Sequence, residues 1–105
     1  MAKAADYIGD VQRYDSGADE AVVQKICNYL GIALANKDSS LVSCSDETER
    51  NRVRDGYAAK KLGMGTSDAE AAIAAVCETM KGDRMKQRVT FYYLMAKDAG
   101  KLGDL

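Results

Sequence analysis

The chain has no histidine, proline or tryptophan and only one phenylalanine among its 105 residues. Without histidine there is no Ser-His-Asp or Cys-His machinery, no histidine-bearing zinc site and no imidazole pH switch. Cysteine is scarce too: Cys27, Cys44 and Cys77 form an odd set, widely spaced, with no CxxC pair. That is a poor disulfide framework, so reduced thiols in the cytoplasm are the expectation. No window approaches about 18 uninterrupted apolar residues, and the opening MAKAADYIGD lacks the apolar run of a leader. No membrane span or targeting segment is therefore expected.

Net charge is scarce as well. Fifteen basic and sixteen acidic residues leave −1, which excludes a global polycation for nucleic acid or a polyanion for metal buffering. Hydrophobic residues at 47% and charged residues at 30% are an ordinary globular balance, so one folded domain over 1–105 is expected.

What is present has a helical period. Apolar residues at three- and four-residue steps predict helices over about 4–14, 19–35, 46–62, 68–81 and 84–99, with no sustained strand alternation. Asp19 and Glu20 suit the start of the second helix. Ser45 is the expected cap of the third, and Ser67 with Glu70 a capping box for the fourth. Asp83 would cap the fifth, Gly63 would end the third in the left-handed conformation, and Gly100 would end the fifth. The polar run 36–40 separates the second and third helices. The fold class is thus an all-α bundle of about five short helices.

Two halves also look alike. Residues 18–30 align with 68–80, pairing Glu20, Ala21 and Cys27 with Glu70, Ala71 and Cys77. Residues 52–61 align with 88–97, pairing Arg52, Val53, Tyr57 and Lys61 with Arg88, Val89, Tyr93 and Lys97. The alternatives are a helix-link-helix duplication and chance similarity among amphipathic helices.

Four features bear on function. Cys27 and Cys77 fall on apolar helix faces and read as core residues, whereas Cys44, just before a helix start, is the candidate reactive thiol. Arg50, Arg52, Arg54, Arg84, Lys86 and Arg88 form the candidate basic faces for an anion or nucleic acid. Arg88 is singular, because it projects near the middle of an apolar arc of about 200°. A charge there needs a carboxylate such as Glu78, Asp55 or Glu49, an anionic ligand, or a route for its head to reach solvent near the helix start. Finally, Phe91, Tyr92, Tyr93 and Met95 make that helix apolar on several sides. Either it is the central core helix, or one side meets a second subunit. No carboxylate grouping resembles a metal site, and no cofactor is expected.

The stretches Leu41-Val42-Ser43-Cys44-Ser45-Asp46, Arg52-Val53-Arg54-Asp55, Lys60-Lys61-Leu62-Gly63, Ala71-Ala72-Ile73-Ala74-Ala75-Val76-Cys77 and Gly82-Asp83-Arg84-Met85-Lys86-Gln87-Arg88-Val89-Thr90-Phe91-Tyr92-Tyr93-Leu94 carry a resemblance. Together they are similar to a family of small bacterial proteins defined only as a domain of unknown function, over about residues 18–102. The resemblance implies a compact helical cytoplasmic protein and supplies no activity, cofactor or site residue. The expected function is a non-enzymatic protein-interaction module that forms a homodimer and binds a protein partner. Anion or nucleic-acid binding and thiol sensing at Cys44 are the alternatives.

Overall fold

A computed structural model describes residues 3–36 and 39–105, with the side chain of Asp104 left aside. Lys37 and Asp38, within the expected polar break, lie outside the described residues. A 3₁₀ turn, Ala4–Asp6, leads into α1 (Ile8–Gln12). Helix α2 (Glu20–Leu30) follows, capped by the Asp19 carboxylate on the amide of Ala21 at 2.8 Å. It ends where Gly31 takes a positive φ of 50° and the chain tightens into the 3₁₀ stretch Gly31–Ala35.

Helix α3 (Glu47–Arg52) is capped by Asp46, not Ser45, because the Asp46 carboxylate reaches the amides of both Thr48 and Glu49. It continues without a break as a π-helix, Val53–Lys61. There the buried residues Val53, Tyr57, Ala58 and Leu62 step by four, one and four. That spacing suits the wider turn of a helix bonded five residues apart, as from the Leu62 amide to the Tyr57 carbonyl at 3.1 Å. Gly63 then ends the segment at φ +65°.

Helix α4 (Thr66–Thr79) starts ahead of the expected capping box, with Gly65 at its cap and no side-chain cap bond. Its buried residues Ala69, Ile73 and Val76 lie on one face. Helix α5 (Arg88–Asp98) starts four residues later than expected. The chain before it forms β2 (Lys86–Gln87), which pairs antiparallel with β1 (Leu41–Val42) in the register Leu41 with Gln87 and Val42 with Lys86. Asp83 accordingly caps nothing and bonds instead to Arg13 and Tyr14. A last 3₁₀ turn spans Leu102–Asp104. The class is all-α with one minimal two-stranded sheet, which the period reading missed because two residues are too few to show alternation.

Helix α5 is the hub. Every residue from Arg88 to Ala96 is buried, because α1, α2, α4, both strands and the last turn pack around it. A helix apolar on all sides must be enclosed, and here a single chain encloses it. Phe91, Tyr92, Tyr93 and Met95 are 0%, 6%, 2% and 0% exposed. The expectation that one side of this helix meets a second subunit is therefore corrected: the central-helix alternative holds.

Candidate functional site

Burying α5 on every side places Arg88, Thr90, Tyr92 and Tyr93 in the core, and each of these receives a partner, whereas the side-chain oxygen of Gln87 at the helix start is buried without one. Glu49 is the partner of Arg88. The guanidinium forms an ion pair with the Glu49 carboxylate and donates to the carbonyls of Ser39 (2.6 Å) and Leu41 (3.1 Å) and to the Tyr92 hydroxyl (3.1 Å). Five guanidinium N–H groups in a fixed fork suit several acceptors at once. Desolvation works to lower the Arg88 pKa, but the charge interaction with Tyr92 and the bond to Glu49 outweigh it, so the pKa lies above the ordinary arginine value. Glu78 pairs with Lys81 and Asp55 with Arg54, so neither serves Arg88.

Rings connect this ion pair to the surface. Tyr57 stacks on Tyr92 with centroids 3.9 Å apart and planes 16° apart, and its hydroxyl donates to the Tyr92 carbonyl at 2.8 Å. Burial pushes the Tyr57 hydroxyl well above the usual tyrosine range. Tyr29 meets Tyr57 at 5.6 Å on the outer side, and the Lys61 ammonium sits 5.6 Å over the Tyr29 ring.

The opposite side of α5 is covered by the N-terminal segment through hydroxyl–carboxylate bonds. Thr90 donates to Asp10, Tyr93 to Asp15 (2.6 Å) and Tyr14 to Asp83, while Arg13 bridges Asp10 and Asp83 at 2.7 Å each. The Tyr93 bond holds Asp15 below the ordinary carboxylate pKa, and the Arg13 and Tyr14 bonds do the same for Asp83. Burial raises Tyr14, with help from Asp83, to about 12. A depressed carboxylate stabilises the fold above its unfolded pKa of ~3.9 and loses that contribution as pH falls through the folded value. Thermal stability is therefore expected to fall between roughly pH 5 and pH 2, with a shallower fall in an Asp15→Asn/Asp83→Asn variant. A melting temperature independent of pH across that acid range would refute the assignment.

The cysteines overturn a sequence expectation. Cys44 and Cys77 form a disulfide with Cα atoms 5.9 Å apart, across 33 residues. Cys44 is thus half of a bridge, not a solitary reactive thiol, and Cys77 is not a free core cysteine. Cys27 is the free one, buried, with burial raising its pKa and Asp6 adding to the effect. It stays protonated and is a weak nucleophile. The pair Cys27 and Cys77, equivalent in the 18–30 to 68–80 alignment, therefore has different chemistry in the two halves.

Most of the candidate basic residues already hold protein acceptors. Arg50 donates to the Cys44 carbonyl, Arg52 pairs with Glu49 at 3.4 Å, and Arg54 pairs with Asp55 at 2.8 Å and Glu70 at 3.8 Å. Lys86 donates to the Asp83 carbonyl at 2.7 Å, and Arg88 is buried. Arg84 is exposed and borders, with Lys86, a shallow cleft of about 390 Å³ formed by Leu41, Val42, Ser43, Cys44, Ser45 and Met85. The sequence grouping at 50–61 and 81–88 thus does not form one open basic face.

A larger cleft, of about 640 Å³, lies where α2 passes into the 3₁₀ stretch. Tyr7, Cys27, Asn28, Gly31, Leu34 and Ala35 line it, and Ile32, which also borders it, is 90% exposed. Sequence reasoning missed this site. At about 100° per residue Ile32 already falls outside the apolar stripe of the expected 19–35 helix, but the cleft beside it forms only where the chain turns at Gly31 into the 3₁₀ stretch. Among the described residues no group of three or more metal-binding side chains comes together, and no helix is long and apolar enough to cross a membrane.

The fold and these sites define a small helical domain enclosing a central helix through a buried Arg–Glu pair, with one apolar cleft open to solvent. The chain belongs to the family described as "Protein of unknown function (DUF2853)", whose profile matches residues 6–103. No curated protein matches it.

Proposed function

We propose that the protein is a non-enzymatic interaction module that pairs with a second copy of itself through the surface around Tyr29 and Ile32. One observation carries this reading: a fully projecting isoleucine stands beside an apolar cleft able to receive one. A knob next to a hole is self-complementary. Across a two-fold axis each protomer's Ile32 enters its partner's cleft, the arrangement an isologous interface requires. Tyr29, 43% exposed and three residues earlier, adds a ring of the type enriched at interfaces.

Burying both isoleucines contributes about 3–6 kcal/mol. Association costs about 4–15 kcal/mol in lost freedom, so the two isoleucines alone do not hold the pair, and Tyr29 and the cleft walls must add apolar burial for a weak dimer to form near millimolar concentration. The test is sedimentation velocity over a wide concentration range. The wild type should shift towards twice its monomer mass as concentration rises, and Ile32→Glu should stay monomeric with unchanged thermal stability. A wild-type chain that remains monomeric up to millimolar concentration removes the self-association reading. A cytoplasmic location belongs to the same proposal. In a reducing compartment the Cys44–Cys77 bridge would be a transient, redox-responsive state.

A further inference from the structure

We infer that Cys44–Cys77 is a reversible thiol–disulfide exchange site whose co-substrate is a dithiol, and that its reduction releases the segment 39–46 from α4. The inference does not rest on the self-association surface, which Tyr29 of α2 and Ile32 of the 3₁₀ stretch form. It rests first on where the bridge sits. Both cysteines are half-buried, in contrast to Cys27, which is only 2% exposed, and Cys44 lines the shallow cleft of about 390 Å³ that opens to solvent. Arg84 and Lys86 border the same cleft and favour the approach of an anionic thiolate.

It rests second on what the bridge holds. The segment 39–46 contributes one buried apolar side chain to the core, Val42. Its other ties are polar: the β1–β2 pairing, the Arg88 amide to the Ser40 carbonyl at 2.8 Å, the Arg88 guanidinium to Ser39 and Leu41, Arg50 to Cys44, the Ser39 hydroxyl to the Ala33 carbonyl at 2.6 Å, and the Asp46 cap on α3. A segment with few apolar contacts and many backbone bonds near solvent is one that opens locally once its covalent tie is cut. The buried face of α4 is built from Ala69, Ile73 and Val76, which the bridge does not supply, so α4 keeps its packing when the sulfurs separate.

The chemistry balances as two exchanges. A thiolate of the dithiol attacks Cys44 Sγ, because Cys44 is the member of the bridge that lines the cleft. The Cys44–Cys77 S–S bond breaks, and Cys77 leaves as a thiolate that takes up a proton. The second thiolate of the reductant then attacks its own sulfur in the mixed disulfide and expels the Cys44 thiolate, which is protonated in turn. The protein gains two electrons and two protons, and the dithiol becomes a cyclic disulfide.

The experiment treats native full-length protein with dithiothreitol, then blocks thiols in denaturant and reads the intact mass. Before reduction one thiol should be blocked, Cys27, and afterwards three. Native reduction should run at least tenfold faster than global unfolding under the same conditions, and the helical circular-dichroism signal should persist. Amide hydrogen exchange at 41–42 and 86–88 should accelerate at least tenfold, while 89–96 stays protected. Oxidised glutathione should restore the 44–77 linkage, mapped by peptide mass. Cys27→Ser should behave as wild type, and Cys44→Ser/Cys77→Ser should show the reduced exchange pattern without dithiothreitol. Reduction only at the rate of global unfolding, loss of the helical signal on reduction, or unchanged protection at 41–42 and 86–88 would each make the bridge a structural staple and overturn the proposal.

Discussion

Arg88→Ala should lower the stability of the fold by about 3–5 kcal/mol, the cost of leaving one member of a buried ion pair without its partner. The substitution removes four acceptor contacts together: Glu49, the Ser39 and Leu41 carbonyls, and the Tyr92 hydroxyl. Glu49 is 9% exposed, so water cannot fully re-solvate it. For a domain of this size each kcal/mol shifts the melting midpoint by about 4–8 °C, so a fall on the order of 15–30 °C is expected. Glu49→Gln keeps the shape and should cost less, about 1.5–3 kcal/mol, because a charged hydrogen bond becomes a neutral one. Urea denaturation of the two variants checks both values. A loss below about 1 kcal/mol for Arg88→Ala would show that the pair contributes little net stability, as some buried pairs do.

Removing the bridge is the second large effect. Closing a loop of this length restricts the unfolded chain by about 3–4 kcal/mol in the chain-entropy model. Cys44→Ser/Cys77→Ser should therefore melt roughly 15–25 °C lower than the oxidised wild type, and as low as the reduced wild type. Its urea dependence should also steepen, because an unbridged denatured chain exposes more surface. Equal midpoints for oxidised protein and variant would mean that the bridge does not form in solution. Domains commonly hold about 5–15 kcal/mol, so the unbridged chain can remain folded, as the exchange proposal requires.

The sequence carried the helical order well, because period and punctuation are local. Gly63 takes the expected positive φ, at 65°, and Gly100 ends its helix as expected, itself at a φ of 70°. The buried ion pair was legible for the same reason: a guanidinium at the centre of an apolar arc has to find a carboxylate, and Glu49 was among the three named. What failed was everything set by the return path of the chain. The π-helical turn over Val53–Lys61 shifts the phase of its buried residues, and an assumed 3.6-residue period cannot show it. The bridge depends on the 39–46 segment passing across α4, which no spacing between Cys44 and Cys77 encodes.

The aromatic run Phe91-Tyr92-Tyr93 was correctly read as wanting cover on several sides. Its pattern could not say whether that cover came from this chain or another. The answer lay in Asp10 and Asp15. They are the acceptors that fasten the N-terminal segment over Thr90 and Tyr93. The basic stretches misled in the mirror sense, since charges adjacent in sequence are dispersed among Cys44, Glu49, Asp55, Glu70 and Asp83 in space.

The helix at the centre of the bundle follows all the others in the chain. Ribosomes extend a chain at about 5–20 residues per second, and domains generally fold as units. Val11, Val23, Ile26, Ile73 and Val76, all buried in the finished molecule, are thus made before the residues around which they gather. Assembly of the core must wait until translation has passed residue 96, and a nascent chain stalled short of that point would display its greasy stripes to chaperones and proteases.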